Sequence, residues 1–111
     1  MAKTKVKNVE GNKVDYTFVF DKENINFTND SEKDALFLKC MFNFFGELNQ
    51  TRGYIFLNDI LDRFSTNRLI FGQFYGYDAN DGIFIDYSPN EDGSFTVNFR
   101  NLKNIIGKLE W

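Results

Sequence analysis

Gly53–Tyr77, GYIFLNDILDRFSTNRLIFGQFYGY, contains a strand, two helix starts and a tight turn in succession, and the rest of the chain is organised around it. Tyr54-Ile55-Phe56-Leu57 is a β-branched and aromatic run of the kind that forms strands. Asn58 follows it and can accept the free backbone N–H groups of a helix beginning at Asp59. Leu57, Ile60, Leu61 and Phe64 recur at i, i+3, i+4 and i+7, which predicts one buried helical stripe. After Ser65-Thr66-Asn67, where either hydroxyl can cap, the apolar spacing predicts a second helix from about Asn67 to Tyr75. Gly76 stands where a left-handed residue would stop it. Strand, helix, three-residue turn and helix make the middle of a helix-turn-helix unit.

On the N-terminal side, Ser31-Glu32-Lys33-Asp34 is a capping-box-like start to a helix from Glu32 to about Asn49. Phe37, Met41, Phe44 and Leu48 lie on one line of that helix and Leu38, Phe42 and Phe45 on the next, leaving a narrow polar strip. Cys40 falls among these apolar neighbours, which predicts a small buried thiol. On the C-terminal side, Asp78-Ala79-Asn80-Asp81-Gly82 reads as a turn. Ile83 to Tyr87 and Phe95 to Arg100 alternate as two strands of a wing, with Pro89 in the loop between them. Leu102, Ile105, Ile106 and Leu109 show helical spacing, which predicts a short C-terminal helix. Before the first helix, Thr4 to Asn8 and Val14 to Phe20 flank Glu10-Gly11-Asn12 as a β-hairpin, with Val14, Tyr16, Phe18 and Phe20 on one face. The expected fold is α+β: a single domain over residues 1–111, with an N-terminal hairpin over 1–21 and a winged helix-turn-helix-like core over 31–111.

At 111 residues there is room for one core, yet 18% of the chain is aromatic, fourteen of those residues being Phe. The apolar arc of the long helix exceeds one core face, so a homodimer is expected. No histidine is present, which removes the commonest general base and the commonest metal ligand. Asp59 and Asp62, one helical turn apart, are the nearest thing to a catalytic carboxylate pair. A helix N-terminus explains the first and a solvated face the second, so no catalysis is expected. Asp78–Gly82 resembles the opening of a calcium loop, but its spacing is one residue short and Pro89 occupies the closing position. Gly72 and Gly76 follow a predicted helix, unlike the glycines of a phosphate-binding loop. No cofactor or metal is expected. A single cysteine excludes an internal disulfide, the charged opening lacks a signal-peptide core, and no apolar run approaches a membrane span. A cytoplasmic protein without a membrane partner is the expectation.

Two surfaces could carry function. A net charge of −3 lacks the electrostatic footprint of a nucleic-acid binder, and the segment Asp78 to Asp92 holds five acids and no base. Asp78, Asp81, Asp86, Glu91 and Asp92 are therefore expected to form a negative rim for a protein partner. The alternative partner is DNA, for which Asn67, Arg68 and Gln73 on the second helix could read base edges. Lys3, Lys5 and Lys7 would then grip phosphates, although alternating lysines on an edge strand more often serve simply to prevent edge-to-edge pairing.

Gly53-Tyr54-Ile55-x-Leu57-Asn58-Asp59, Arg68 and the Gly72 to Gly76-Tyr77 ending resemble a motif of small uncharacterised proteins of phages and mobile elements in low-GC Gram-positive bacteria. The similarity covers roughly the last sixty residues; Tyr77 stands where a Trp is usual, and Phe64-Ser65 where those proteins have Leu-Gly. It assigns no active residue. It implies a mobile-element accessory protein, such as an anti-CRISPR-like inhibitor that binds a host protein stoichiometrically. The alternatives are a winged helix-turn-helix DNA-binding dimer in conjugation or phage regulation, and a virion assembly component.

Overall fold

A computed structural model describes residues 4–8, as backbone, and 13–106. In chain order the elements are β1 (Thr4–Asn8), β2 (Val14–Phe20), α1 (Ser31–Arg52), β3 (Tyr54–Phe56), α2 (Leu57–Arg63), a 3-10 turn (Phe71–Gln73), β4 (Tyr75–Asp78), β5 (Ile85–Pro89) and β6 (Phe95–Asn104). This is an α+β fold with one antiparallel sheet. Its path runs β1-β2-β6-β4-β3, and β5 also pairs with β6. β1 pairs with β2 from Thr4 opposite Phe18 to Asn8 opposite Val14; the turn expected at Glu10-Gly11-Asn12 lies outside the described residues.

Alternation decides which face of the sheet is buried. Val14, Tyr16, Phe18 and Phe20 of β2 and Phe95, Val97 and Phe99 of β6 face the helices and are buried. Asp15, Thr17, Thr96 and Asn98 lie on the other face. α1 and α2 cover the apolar side. Asp30 starts α1, its carboxylate accepting from the N–H groups of Glu32 and Lys33, so the cap lies one residue before the expected Ser31. Gly53, at φ 91°, ends the helix in the left-handed region. The core is built on aromatic rings, with Phe64 at the end of α2 touching Phe18, Phe20, Phe37 and Phe45 at centroid distances of 5.2 to 6.1 Å.

Several expectations are overturned. No α-helix spans Asn67 to Tyr75: from Thr66 the chain has no regular secondary structure until it makes the 3-10 turn and enters β4. Ser65 takes φ 59° and Thr66 N–H donates to Leu61 O, so these residues close α2 and do not open a second helix. Asn58 caps nothing, because α2 already begins at Leu57. The reach-back role falls to Asp59, whose Oδ2 accepts from Phe56 N–H at 3.2 Å. Gly76 stops no helix either. It sits inside β4 opposite Phe56, where a Cβ would lie 2.0 Å from Ile55 O. Leu102 to Asn104 continue β6, so the predicted C-terminal helix is absent at its start, and its remainder from residue 107 lies outside the described residues. Cys40 is exposed: it stands on the side of α1 opposite buried Leu38, Phe45 and Asn49.

Candidate protein-binding surface

The acidic segment is organised by β6, whose edge away from β2 serves two neighbours. Its residues Phe95 to Phe99 pair with β5, and Lys103 and Asn104 pair with β4. Between the two stretches Asn101 takes φ 58° and its N–H donates to Asp15 Oδ1 at 3.0 Å, a kink that lets one strand serve both. Tyr77 of β4 fills the fork. Its hydroxyl reaches Phe84 O at 3.0 Å and Arg100 O at 2.8 Å, and burial pushes the phenol well above its ordinary pKa.

Each acid has a distinct place around this fork. Asp78, expected on the rim, is buried; its Oδ2 lies 3.0 Å from Lys103 Nζ and its Oδ1 accepts from Asp81 N–H. The turn it opens is docked on α1, with Asn49 Nδ2 donating to Asp78 O at 3.0 Å and Gln50 Nε2 to Ala79 O at 3.1 Å. Asp81 is exposed and also pairs with Lys103. Those two carboxylates, Asp81 first, raise the pKa of the Lys103 ammonium. Asp86 projects from β5 on the face opposite the core, where it accepts from Asn98 Nδ2 at 2.8 Å and from Arg100 Nη1. Glu91 and Asp92 are exposed in the β5–β6 turn, where Asp92 Oδ1 accepts from Ser94 N–H at 2.9 Å and Gly93 takes φ 91°.

Asp78 is therefore not part of an exposed rim, and Asp81 and Asp86 each face a cation of β6. Asp81 lies before β5 and Glu91 and Asp92 beyond it, with Asp86 on the strand between. Arg100 and Lys103 are the partners that sequence reasoning missed. Arg100 was within reach of it: Asp86 pairs with Asn98, so a basic residue two positions on is a diagonal neighbour on the same face. Lys103 was hidden by its assignment to a helix.

The residues considered for DNA do not lie on one helix. Arg68 holds Asp62 in a two-pronged pair, Nε to Oδ1 at 2.9 Å and Nη2 to Oδ2 at 2.6 Å, and that hydrogen bonding lowers the carboxyl pKa of Asp62. Asn67 and Gln73 are exposed, on the irregular stretch and the 3-10 turn. Lys5 and Lys7 stand opposite Thr17 and Asp15 in the sheet register, and Lys3 lies outside the described residues.

Among the described residues no helix is long and apolar enough to cross a membrane. No group of three or more His, Cys, Asp or Glu is gathered to hold a metal ion among them. Comparison of the chain with protein-family models, curated proteins and solved structures finds no match.

Proposed function

We propose that the protein is a non-enzymatic accessory factor of a phage or mobile element, acting by stoichiometric binding to a host protein with a basic, nucleic-acid-handling groove. The observation that carries this reading is the position of Asp81, Glu91 and Asp92. They are exposed before and after β5, on turns whose backbone is fixed by α1 and by the Asp92–Ser94 bonds, with Asp81 also paired with Lys103 and Glu91 in no ion pair among the described residues. Fixed turns present charge without a large ordering cost, and negative potential facing a basic groove accelerates association. The winged helix-turn-helix alternative would need an α-helix across Asn67–Tyr75 and a free Arg68. That stretch is irregular chain and a 3-10 turn leading into β4, and Arg68 is engaged by Asp62.

The test starts with affinity capture from nuclease-treated bacterial lysate and continues with binding kinetics on the captured protein. The variant Asp81→Asn/Glu91→Gln/Asp92→Asn removes three charges and keeps an acceptor at each position. Its association rate at low salt is expected to fall about tenfold or more, with a flatter salt dependence. An unchanged rate would remove the acidic surface from the account, and capture that disappears on nuclease treatment would show nucleic acid to be the bridge.

A further inference from the structure

The outward face of α1 carries a second, independent surface. At about 100° per residue, Lys33, Leu36, Phe44 and Glu47 all fall within about 40° of Cys40, diametrically opposite the buried face. All five are exposed; Leu36 and Phe44 stand out at 62% and 38% exposure. The stripe reads cation, apolar, thiol, apolar, anion over about 21 Å of helix. Among the described residues neither Lys33 nor Glu47 is in an ion pair. The guanidinium of Arg63 lies 4.8 Å from the centre of the Phe44 ring and steadies it.

We infer that this stripe is the interface of a homodimer in which two α1 helices pack antiparallel about a twofold axis at Cys40. The order of side chains selects both the occupant and the orientation. An antiparallel second copy sets Leu36 against the partner's Phe44 and Lys33 against the partner's Glu47, at both ends at once, whereas a parallel copy would set Lys33 against Lys33 and Glu47 against Glu47. A stripe whose charges invert about its midpoint is complementary to itself. One helix face buries less surface than a standard interface, so the dimer is weak, with a Kd on the order of 100 μM.

Sedimentation equilibrium of the full chain from about 10 μM to about 1 mM spans that affinity. Leu36→Glu is expected to weaken the dimer at least about tenfold, Glu47→Lys to weaken it less, and Lys33→Glu/Glu47→Lys to restore it. A short bis-maleimide should join two Cys40 thiols in the wild type faster than in Leu36→Glu, with equal labelling by a monofunctional maleimide. Leu36 and Glu47 are solvent-exposed, so circular dichroism should show the variants folded; if Leu36→Glu is not, Leu36→Gln takes its place. A monomer throughout the range, a dimer indifferent to position 36, or a charge swap weaker than Glu47→Lys alone would each overturn the inference.

Discussion

Tyr54–Phe64 and Ser65–Tyr77 are neighbours in sequence and in space, yet they are held in place by different forces. In the first, Ile55, Phe56, Leu57, Ile60, Leu61 and Phe64 are buried, and their side chains alone account for a strand and a helix packed on the aromatic core. In the second, Ile70 is 83% and Phe74 39% exposed, and the order comes from outside the segment. Asn58 of α2 reaches across to Leu69, its Nδ2 donating to Leu69 O and its Oδ1 accepting from Leu69 N–H, both at 2.9 Å. That clamp satisfies both backbone groups of Leu69, as a strand partner would. Beyond it, Gly76 admits the β3 backbone at a distance no side chain allows, and Tyr77 locks the fork of β6. Apolar spacing builds the first region, and polar capture of the backbone builds the second.

The largest break in this comparison is expected from Gly76→Ala. Its Cβ would meet Ile55 O and Phe56 Cα, both backbone atoms that cannot step aside as a flexible side chain can. A loss of about 3 kcal/mol or more is expected in denaturant unfolding; no loss, or the slight gain that Gly-to-Ala ordinarily brings in a strand, would show that β3 and β4 are less close than described. Asn58→Ala comes next, at about 1–3 kcal/mol, because it strips both partners from the part-buried backbone of Leu69. Hydrogen exchange should quicken at Leu69 and Gly72 while α2 stays protected; uniform quickening would mean that Asn58 holds the whole domain and not the second region alone.

The smallest effect is set by pH. Tyr77 is held above its ordinary pKa of 10.0 chiefly by burial, and Lys103 above 10.5 by its bonds to Asp81 and Asp78. Both folded-state values are raised, so the stability they contribute is complete below the unfolded values and is lost as pH rises through the folded ones. Unfolding free energy should therefore decline from about pH 10 upward, less steeply in Tyr77→Phe. Asp62 has the opposite sign: its contribution is lost as pH falls through its lowered value. Its exposure keeps that contribution slight. An alkaline limb identical in Tyr77→Phe would remove the phenol as its source.

What could be read from the sequence follows the same division. The faces of β2 and β6 and the long helix were legible because burial alone enforces alternation and helical spacing. The second region was not, since Leu69, Phe71 and Tyr75 are half-buried through contacts made elsewhere and their spacing mimics a helix. Leu102 misled in a related way. The left-handed kink at Asn101 breaks the odd-numbered alternation of β6, so that Leu102 is the next buried residue after Phe99 and its place in the strand was not legible from period-two spacing. The acidic segment could be found from composition, but its division could not, because the pairing of Lys103 with Asp78 and Asp81 depends on β6 extending past the kink.

Both the fold and the preference for a protein partner over a DNA groove depend on the path of residues 65–77. Backbone chemical shifts of the full chain test it directly. The account predicts helical Cα shifts over Leu57–Arg63 that end at Ser65, a short helical turn limited to Phe71–Gln73 and strand shifts from Tyr75 to Asp78. An unbroken run of helical shifts from Asn67 to Tyr75 would contradict it and restore a recognition helix.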